Sequence, residues 1–228
     1  MKRLFAIMCS TERGRDGGRS GVNVNPDAHE PMAHDQPLTK EAILDAAEQT
    51  LRRYGPDKTS VVDVAKALQV SHGSLYRHFP SKAALREAVT ERWLQRIADP
   101  LQIIADGTDG SATDRLRLWT DTLIRAKRTY VLEDPEMFAM YASVTLEAVK
   151  IIDTHVNLLI GQITQIMDQG MRAGEFKPGR PESAAKAFFM ATSLFHHPAH
   201  AYQWTSDGIE AAFESVWTLL LVGISTNG

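Results

Sequence analysis

Within twenty residues, from Ser60 to Phe79, the chain places two helix-start signals on either side of a turn. Ser60 with Asp63 three residues on is a capping-box pattern. Val61, Ala65 and Leu68 follow at helical spacing and mark one buried face. Gln69-Val70-Ser71 is too polar and too short to be more than a turn. Ser71 is a second cap, and behind it Leu75 and Phe79 stand four residues apart among His72, Gly73, Ser74, Tyr76, Arg77 and His78. A short apolar helix that positions a polar, partly basic one is the layout of a helix-turn-helix, whose second helix enters the DNA major groove. Few folds accommodate such a pair, because helices this short are stable only against a larger helical surface.

The flanking sequence supplies that surface. Thr39 caps an expected helix to Tyr54 with Ile43, Ala47 and Leu51 on one stripe, and Gly55-Pro56 ends it. Ser81 starts a further helix through Leu85, Val89, Trp93 and Ile97, which Pro100 is expected to end or kink. Three strings in order are similar to the signature of the tetracycline-repressor-like (TetR) family of transcriptional regulators. They are A-I-L-D-A-A at 42–47, T-S-V-V-D-V-A at 59–65 and L-Y-R-H-F-P-S-K-A-A-L at 75–85. One position departs: the family often has glycine where this chain has Gln69, and glutamine adopts a left-handed backbone only at a cost.

The resemblance implies an all-α fold. A three-helix head with its helix-turn-helix at 60–79 would occupy 38–98, and a larger helical effector-binding and dimerisation body 99–228. It further implies a homodimer on a double-stranded, palindromic operator, released by a small-molecule effector. In this family most members repress.

Composition is compatible. Of 228 residues, 43% are hydrophobic and 23% charged, ordinary for a soluble globular chain. No run approaches the roughly 18 apolar residues of a membrane span. The apolar part of Met1–Met8 is too short for a secretory signal. Cys9 is the sole cysteine, which excludes an intrachain disulfide and fits a reducing cytoplasm. Net charge is −3, but residues 38–98 carry ten Lys/Arg against seven Asp/Glu, a balance of +3. The remainder carries 15 against 21, a balance of −6, so a mildly basic head sits on an acidic body. Residues 1–37, rich in Gly and Pro without apolar period, are expected to be a disordered extension, with Met32 as an alternative start.

Beyond residue 100 the pattern is helical to the end. Ser111 with Asp114 starts one helix, and Asp134-Pro135 the next. The stretch 135–171 would be roughly 55 Å as one helix, so a break is expected near 150–153. Residues 174–180 read as a loop, Pro181 to about His197 as a helix, and about Asp207 to Ile224 as the last.

Candidate DNA contacts follow from the motif. Ser71, His72, Gly73 and Ser74 lie in the first turn of the second helix, where side chains meet base edges. Tyr76 and Arg77 reach phosphates or bases, and His78 a phosphate. Thr59 and Ser60 before the first motif helix, Lys82 on the next and Lys40 on the first are phosphate candidates. In the body, Trp119, Leu123, Phe138, Tyr141, His155, Phe189 and His196 are candidates for an effector pocket, against the alternative that they fill a core. Phe188, Leu194, Phe195, Phe213, Val216, Trp217 and Leu220 are candidates for a dimer interface, since Leu219, Leu221 and Val222 widen the last stripe beyond one core.

His196 and His200 have the i, i+4 spacing of a helical metal pair, with His155 elsewhere in the body, but Pro198 intervenes and no metal or cofactor is expected. No phosphate loop, H-E-x-x-H or G-x-S-x-G occurs. The other open reading is a helical small-molecule-binding or enzymatic protein that has lost DNA reading.

Overall fold

The computed structural model describes residues 38–56, 59–147 and 149–226, leaving aside the side chains of 144–149. The expected disorder of 1–37 and the Cys9 thiol lie outside the described residues. Among those described, nine α-helices follow one another: α1 Lys40–Tyr54, α2 Val61–Ala67, α3 His72–Tyr76, α4 Lys82–Asp106, α5 Ala112–Glu133, α6 Pro135–Glu147, α7 Val149–Arg172, α8 Pro181–Ala191 and α9 Ile209–Ile224. Two 3-10 turns, Ser193–Phe195 and Pro198–Gln203, separate the last two. The only pairing of β type among the described residues is an isolated bridge between Phe176 and Ser225.

The caps form as the sequence predicts. Thr39 accepts from Ala42 N, and Ser60 and Ser111 each complete a reciprocal box with Asp63 and Asp114. Ser71 and Ser81 accept from Ser74 N and Ala84 N. Each side-chain oxygen satisfies a backbone donor that the helix itself leaves unpaired.

Four boundaries differ from expectation. Pro100 lies inside α4, which continues to Asp106. Both Pro100 and Arg96, whose carbonyl loses its donor, are on the solvent side, while Leu101 and Ala105 beyond them are fully buried. Core packing therefore carries the helix past the proline. The position expected to divide head from body falls within α4. The division of the 135–171 stretch comes slightly early, with α6 ending at Glu147 and α7 starting at Val149. α8 stops at Ala191, not His197: the Thr192 hydroxyl donates to Phe188 O, and the chain turns into 3-10 geometry. α9 starts at Ile209, after Gly208 at φ 87°.

The body is closed by charge at helix ends. Glu175, in the loop after α7, accepts from Ala112 N at 2.8 Å at the start of α5. Lys177 Nζ donates to Val222 O and Gly223 O at the end of α9. An anion at a helix N-terminus and a cation at a C-terminus each oppose the local dipole charge. Gly170 is required by packing, because a Cβ there would lie 2.3 Å from the Phe176 ring.

Candidate nucleic-acid interface and the buried cluster of the body

The head is a small core with one polar helix on its outside. Ile43, Ala47 and Leu51 of α1, Val61, Val64 and Ala65 of α2, and Leu75 and Phe79 around α3 are buried together with Leu85 and Val89 of α4. Leu75 is fully buried, so it anchors α3, and the residues around it face outward. His72, Gly73, Tyr76 and Arg77 are exposed; Ser74 and His78 are half-buried. Ser71 Oγ and Ser74 Oγ are 2.9 Å apart, and Arg77 Nη2 donates to Ser74 Oγ at 3.3 Å. The first turn thus presents two linked hydroxyls with a guanidinium behind them. Nothing but Ser71 Oγ, at 4.0 Å, approaches the place of a Gly73 Cβ. The space above that glycine is open for another molecule's backbone or base edge.

The turn between α2 and α3 runs through Gln69 at φ 55°. It is the only non-glycine residue at positive φ among those described, and it stands where the family resemblance puts glycine. Of the phosphate candidates, Lys40 is exposed at the start of α1, and Lys82 is half-buried at the start of α4, near enough to Asp63 to help hold its carboxyl below the usual range. The larger cause there is the Ser60 hydroxyl, which is committed to Asp63 at 2.5 Å. Thr59 does not meet its assignment in this conformation: it is buried, and its hydroxyl donates to Gly55 O at 2.9 Å.

In the body, the pocket candidates divide. The Trp119 indole N–H donates to Gln162 Oε1 at 3.0 Å, and Gln162 Nε2 donates to Ala98 O. That chain of bonds is complete, and Trp119 is core. Leu123 lies one turn before Lys127 on the same buried face of α5. Tyr141, His155 and His196 gather about Lys127, a residue the sequence reading passed over. Lys127 Nζ lies 4.3 Å from the Tyr141 ring centroid and 5.3 Å from that of Trp93. Burial pushes the Lys127 ammonium down to about 7. Burial, then the Lys127 charge, holds His155 and His196 down to about 3. Phe138 stacks edge-on to Tyr141 at 6.2 Å, and Phe189 lies 4.6 Å from His196. The signal for Lys127 was present in the sequence: it continues the stripe Leu116, Trp119, Leu123, where a charge is out of place.

Two family models match the chain. The description "Bacterial regulatory proteins, tetR family" covers residues 43–89, and "Tetracyclin repressor-like, C-terminal domain" covers 112–217. The chain belongs to the TetR family of DNA-binding transcriptional regulators. Among curated relatives, an uncharacterised HTH-type transcriptional regulator of Mycobacterium tuberculosis is 31% identical over 107 residues, 46% of this chain and 50% of that protein. The A-factor receptor protein of Streptomyces griseus is 30% identical over 74 residues, 30% of this chain and 27% of the relative. The chain thus spans half or less of these relatives. A TetR-family protein from Vibrio parahaemolyticus has a similar structure, with TM-score 0.54, 26% identity and coverage of 82% and 99% of the two chains. SmeT, the repressor of the Stenotrophomonas maltophilia efflux pump SmeDEF, shares the fold at TM-score 0.61 and 18% identity, over 84% and 92% of the chains.

The TetR-type body leaves one apolar face open. Phe188, Phe195, Phe213 and Trp217, assigned to a dimer interface, are buried within one chain, with Phe188 edge-on to Trp217 and Phe195 edge-on to Phe213. Leu194, Val216 and Leu220 are half-buried. Ala187, Met190 and Ala191 are exposed on α8, with Glu182, Ser183 and Lys186; on α9, Ala212, Ser215, Leu219 and Val222 are exposed, with Glu210, Ala211, Glu214, Thr218 and Gly223. Met190 and Leu219 are each 73% exposed. The large rings are therefore internal, and the exposed large apolar residues of these two helices are Met190, Leu219 and Val222.

Among the described residues no three His, Cys, Asp or Glu side chains come together to hold a metal ion. Because α8 ends at Ala191, His196 and His200 do not share a helix face; His196 Nε2 lies 3.3 Å from Thr192 Oγ1, and His200 stacks near His197.

Proposed function

We propose that this TetR-family chain is a dimeric repressor, bound to a palindromic operator and released by a small-molecule effector. The observation that carries the reading is the exposed, Ser71-capped helix α3, held by Leu75 on the α1–α2–α4 core with Gly73, Tyr76 and Arg77 outward. Two such helices on a dimer would sit about 34–36 Å apart, one turn of DNA. The exposed α8–α9 face supports self-association, in which small residues let helices approach closely. The description of SmeT as a repressor supports repression here. No described helix is long and apolar enough to cross a membrane, which supports a place beside the chromosome in the cytoplasm.

Release would work through α4. This helix meets the head at Leu85 and Val89 and lines the buried cluster at Thr90 and Trp93. A ligand that fits one position of α4 better than another changes the head spacing by that difference in affinity. The test is fluorescence anisotropy on duplex DNA from beside its own gene, from about 50 to 200 mM salt. A steep fall in affinity with salt is expected. Ligand binding or turnover without any salt-dependent DNA affinity would favour a protein that no longer reads DNA.

A further inference from the structure

Among the described residues Lys127 has no counter-ion. It is 2% exposed, and among the described residues its Nζ has no hydrogen-bond acceptor and no acidic partner, only the faces of Tyr141 and Trp93. Three other buried groups of this region also lack a partner: Thr90 Oγ1, Trp93 Nε1 and His155 Nε2. Thr90 stands one turn from Trp93 on α4, and His155 of α7 is close enough to feel the Lys127 charge. Each unpaired buried polar group costs about 1–3 kcal/mol. Four of them in one region mark a place where a ligand supplies what the protein lacks.

The chemistry of the four sets the chemistry of the ligand. The ammonium and the indole N–H only donate; the hydroxyl and the imidazole do either. Their complement is a compact group of acceptors carrying negative charge. His155 of the cluster also lines a groove of about 380 Å³ between α4 and α7. Ala88, Leu94, Ile151 and Leu158 give it apolar walls, while Glu87, Glu91 and Lys150 stand among its other lining residues. We propose that this groove and cluster bind a small organic carboxylate with an apolar tail, its carboxylate on Lys127 with donors from Thr90 and Trp93, and its tail along the groove. The inference rests on the reading of the body as the effector domain and names the class of effector.

Burial holds His155 and His196 down to about 3, so neither adds a charge beside Lys127 near neutral pH, while the groove itself carries Lys150 against Glu87 and Glu91. A carboxylate would restore the full charge on Lys127, whose proton is held loosely in the empty protein.

The test is calorimetry and thermal melting with 4-phenylbutyrate, octanoate and decanoate, each beside its primary amide, on wild type and Lys127→Met. At least one carboxylate is expected to bind wild type, with its amide about tenfold weaker or worse, and Lys127→Met is expected to lose about tenfold or more. Without ligand, Lys127→Met should melt no lower than wild type, since it removes an unpaired buried charge at similar volume. Thr90→Val, which keeps the shape, should weaken the same carboxylate several-fold. If none of the carboxylates binds, or amides bind as well, or Lys127→Met binds unchanged, the inference is overturned. Salt-dependent DNA binding by ligand-free protein is measured beside it. DNA binding without carboxylate binding overturns the site alone, and carboxylate binding without DNA binding overturns the regulator reading alone.

Discussion

Arg92 Nε, on α4, donates at 2.7 Å to the carboxylate of Glu48, a buried residue of α1. Arg96 Nη1 reaches the other oxygen of Glu48 at 2.9 Å, and Arg52 Nη2 lies 3.5 Å from it. Arg52 also binds Asp134, just before α6, at 2.9 Å, a bond that raises the guanidinium above its ordinary value. One buried carboxylate therefore ties the head to α4, and one of its arginines extends the tie to α6. Glu48→Gln keeps the size and removes the charge. It should cost about 1–3 kcal/mol in urea unfolding, toward the lower end because the arginines are partly solvated. A change within experimental error would mean that the ion pairs are incidental.

Gln69 holds φ 55° in the turn that sets α3 against α2. A side chain in that region costs about 1–2 kcal/mol, while glycine loses about 0.5–1 kcal/mol of unfolded-state freedom. Gln69→Gly should therefore stabilise by a few tenths to about 1 kcal/mol, read as a higher urea midpoint at unchanged slope. Destabilisation would show that the glutamine side chain makes a compensating contact.

The α8–α9 face gives a further expectation. Met190→Asp with Leu219→Asp puts charges where two apolar helices of a partner would close, and both residues are largely exposed in one chain. The double variant should fold and sediment as a monomer, where wild type is expected to sediment as a dimer, and its DNA affinity should fall. A variant that remains dimeric would move the interface elsewhere.

The legible parts of this chain are those where a local rule acts alone. Ser60, Ser71, Ser81 and Ser111 announce their helices because a cap needs only residues within one turn. Pro100 misled for the converse reason: its local cost is outweighed by Leu101 and Ala105, whose burial depends on helices far along the chain. The end of α8 was misplaced because the hydroxyl of Thr192 has helical and helix-ending uses that sequence does not separate. The interface rings were assigned outward because a stripe shows which residues are buried and not by which chain. Lys127 is legible in the sequence as a lysine on the apolar stripe of Leu116, Trp119 and Leu123, but its closeness to Trp93, Tyr141 and His155 depends on other helices.

The titration of the buried cluster has a definite sign. The folded value of Lys127, about 7, lies below its ordinary 10.5. Between these values the unfolded chain holds a proton that the folded chain has lost, so stability from this group rises with pH from about 7 to about 10.5. His155 and His196, at about 3 against 6.5, act in a lower window, where stability falls as pH drops from 6.5 to 3. Urea midpoints at pH 5, 7 and 9 should rise throughout for wild type. Lys127→Met should flatten the step from 7 to 9 and keep the step from 5 to 7. Equal slopes for the two proteins between pH 7 and 9 would mean that Lys127 is paired or hydrated in solution.

The central claim is that α3 reads DNA through its outward residues. Its most direct measurement is the affinity of Arg77→Ala for a labelled duplex from beside the gene, by anisotropy at about 100 mM salt, against wild type at matched stability. Arg77 is exposed, and among the described residues its side chain bonds to Ser74 Oγ alone, so its removal should leave the fold intact. The expected result is a loss of about 1–3 kcal/mol, roughly five- to 150-fold in affinity. Unchanged affinity in Arg77→Ala, and in Tyr76→Ala measured beside it, would contradict the assignment of this helix to the groove.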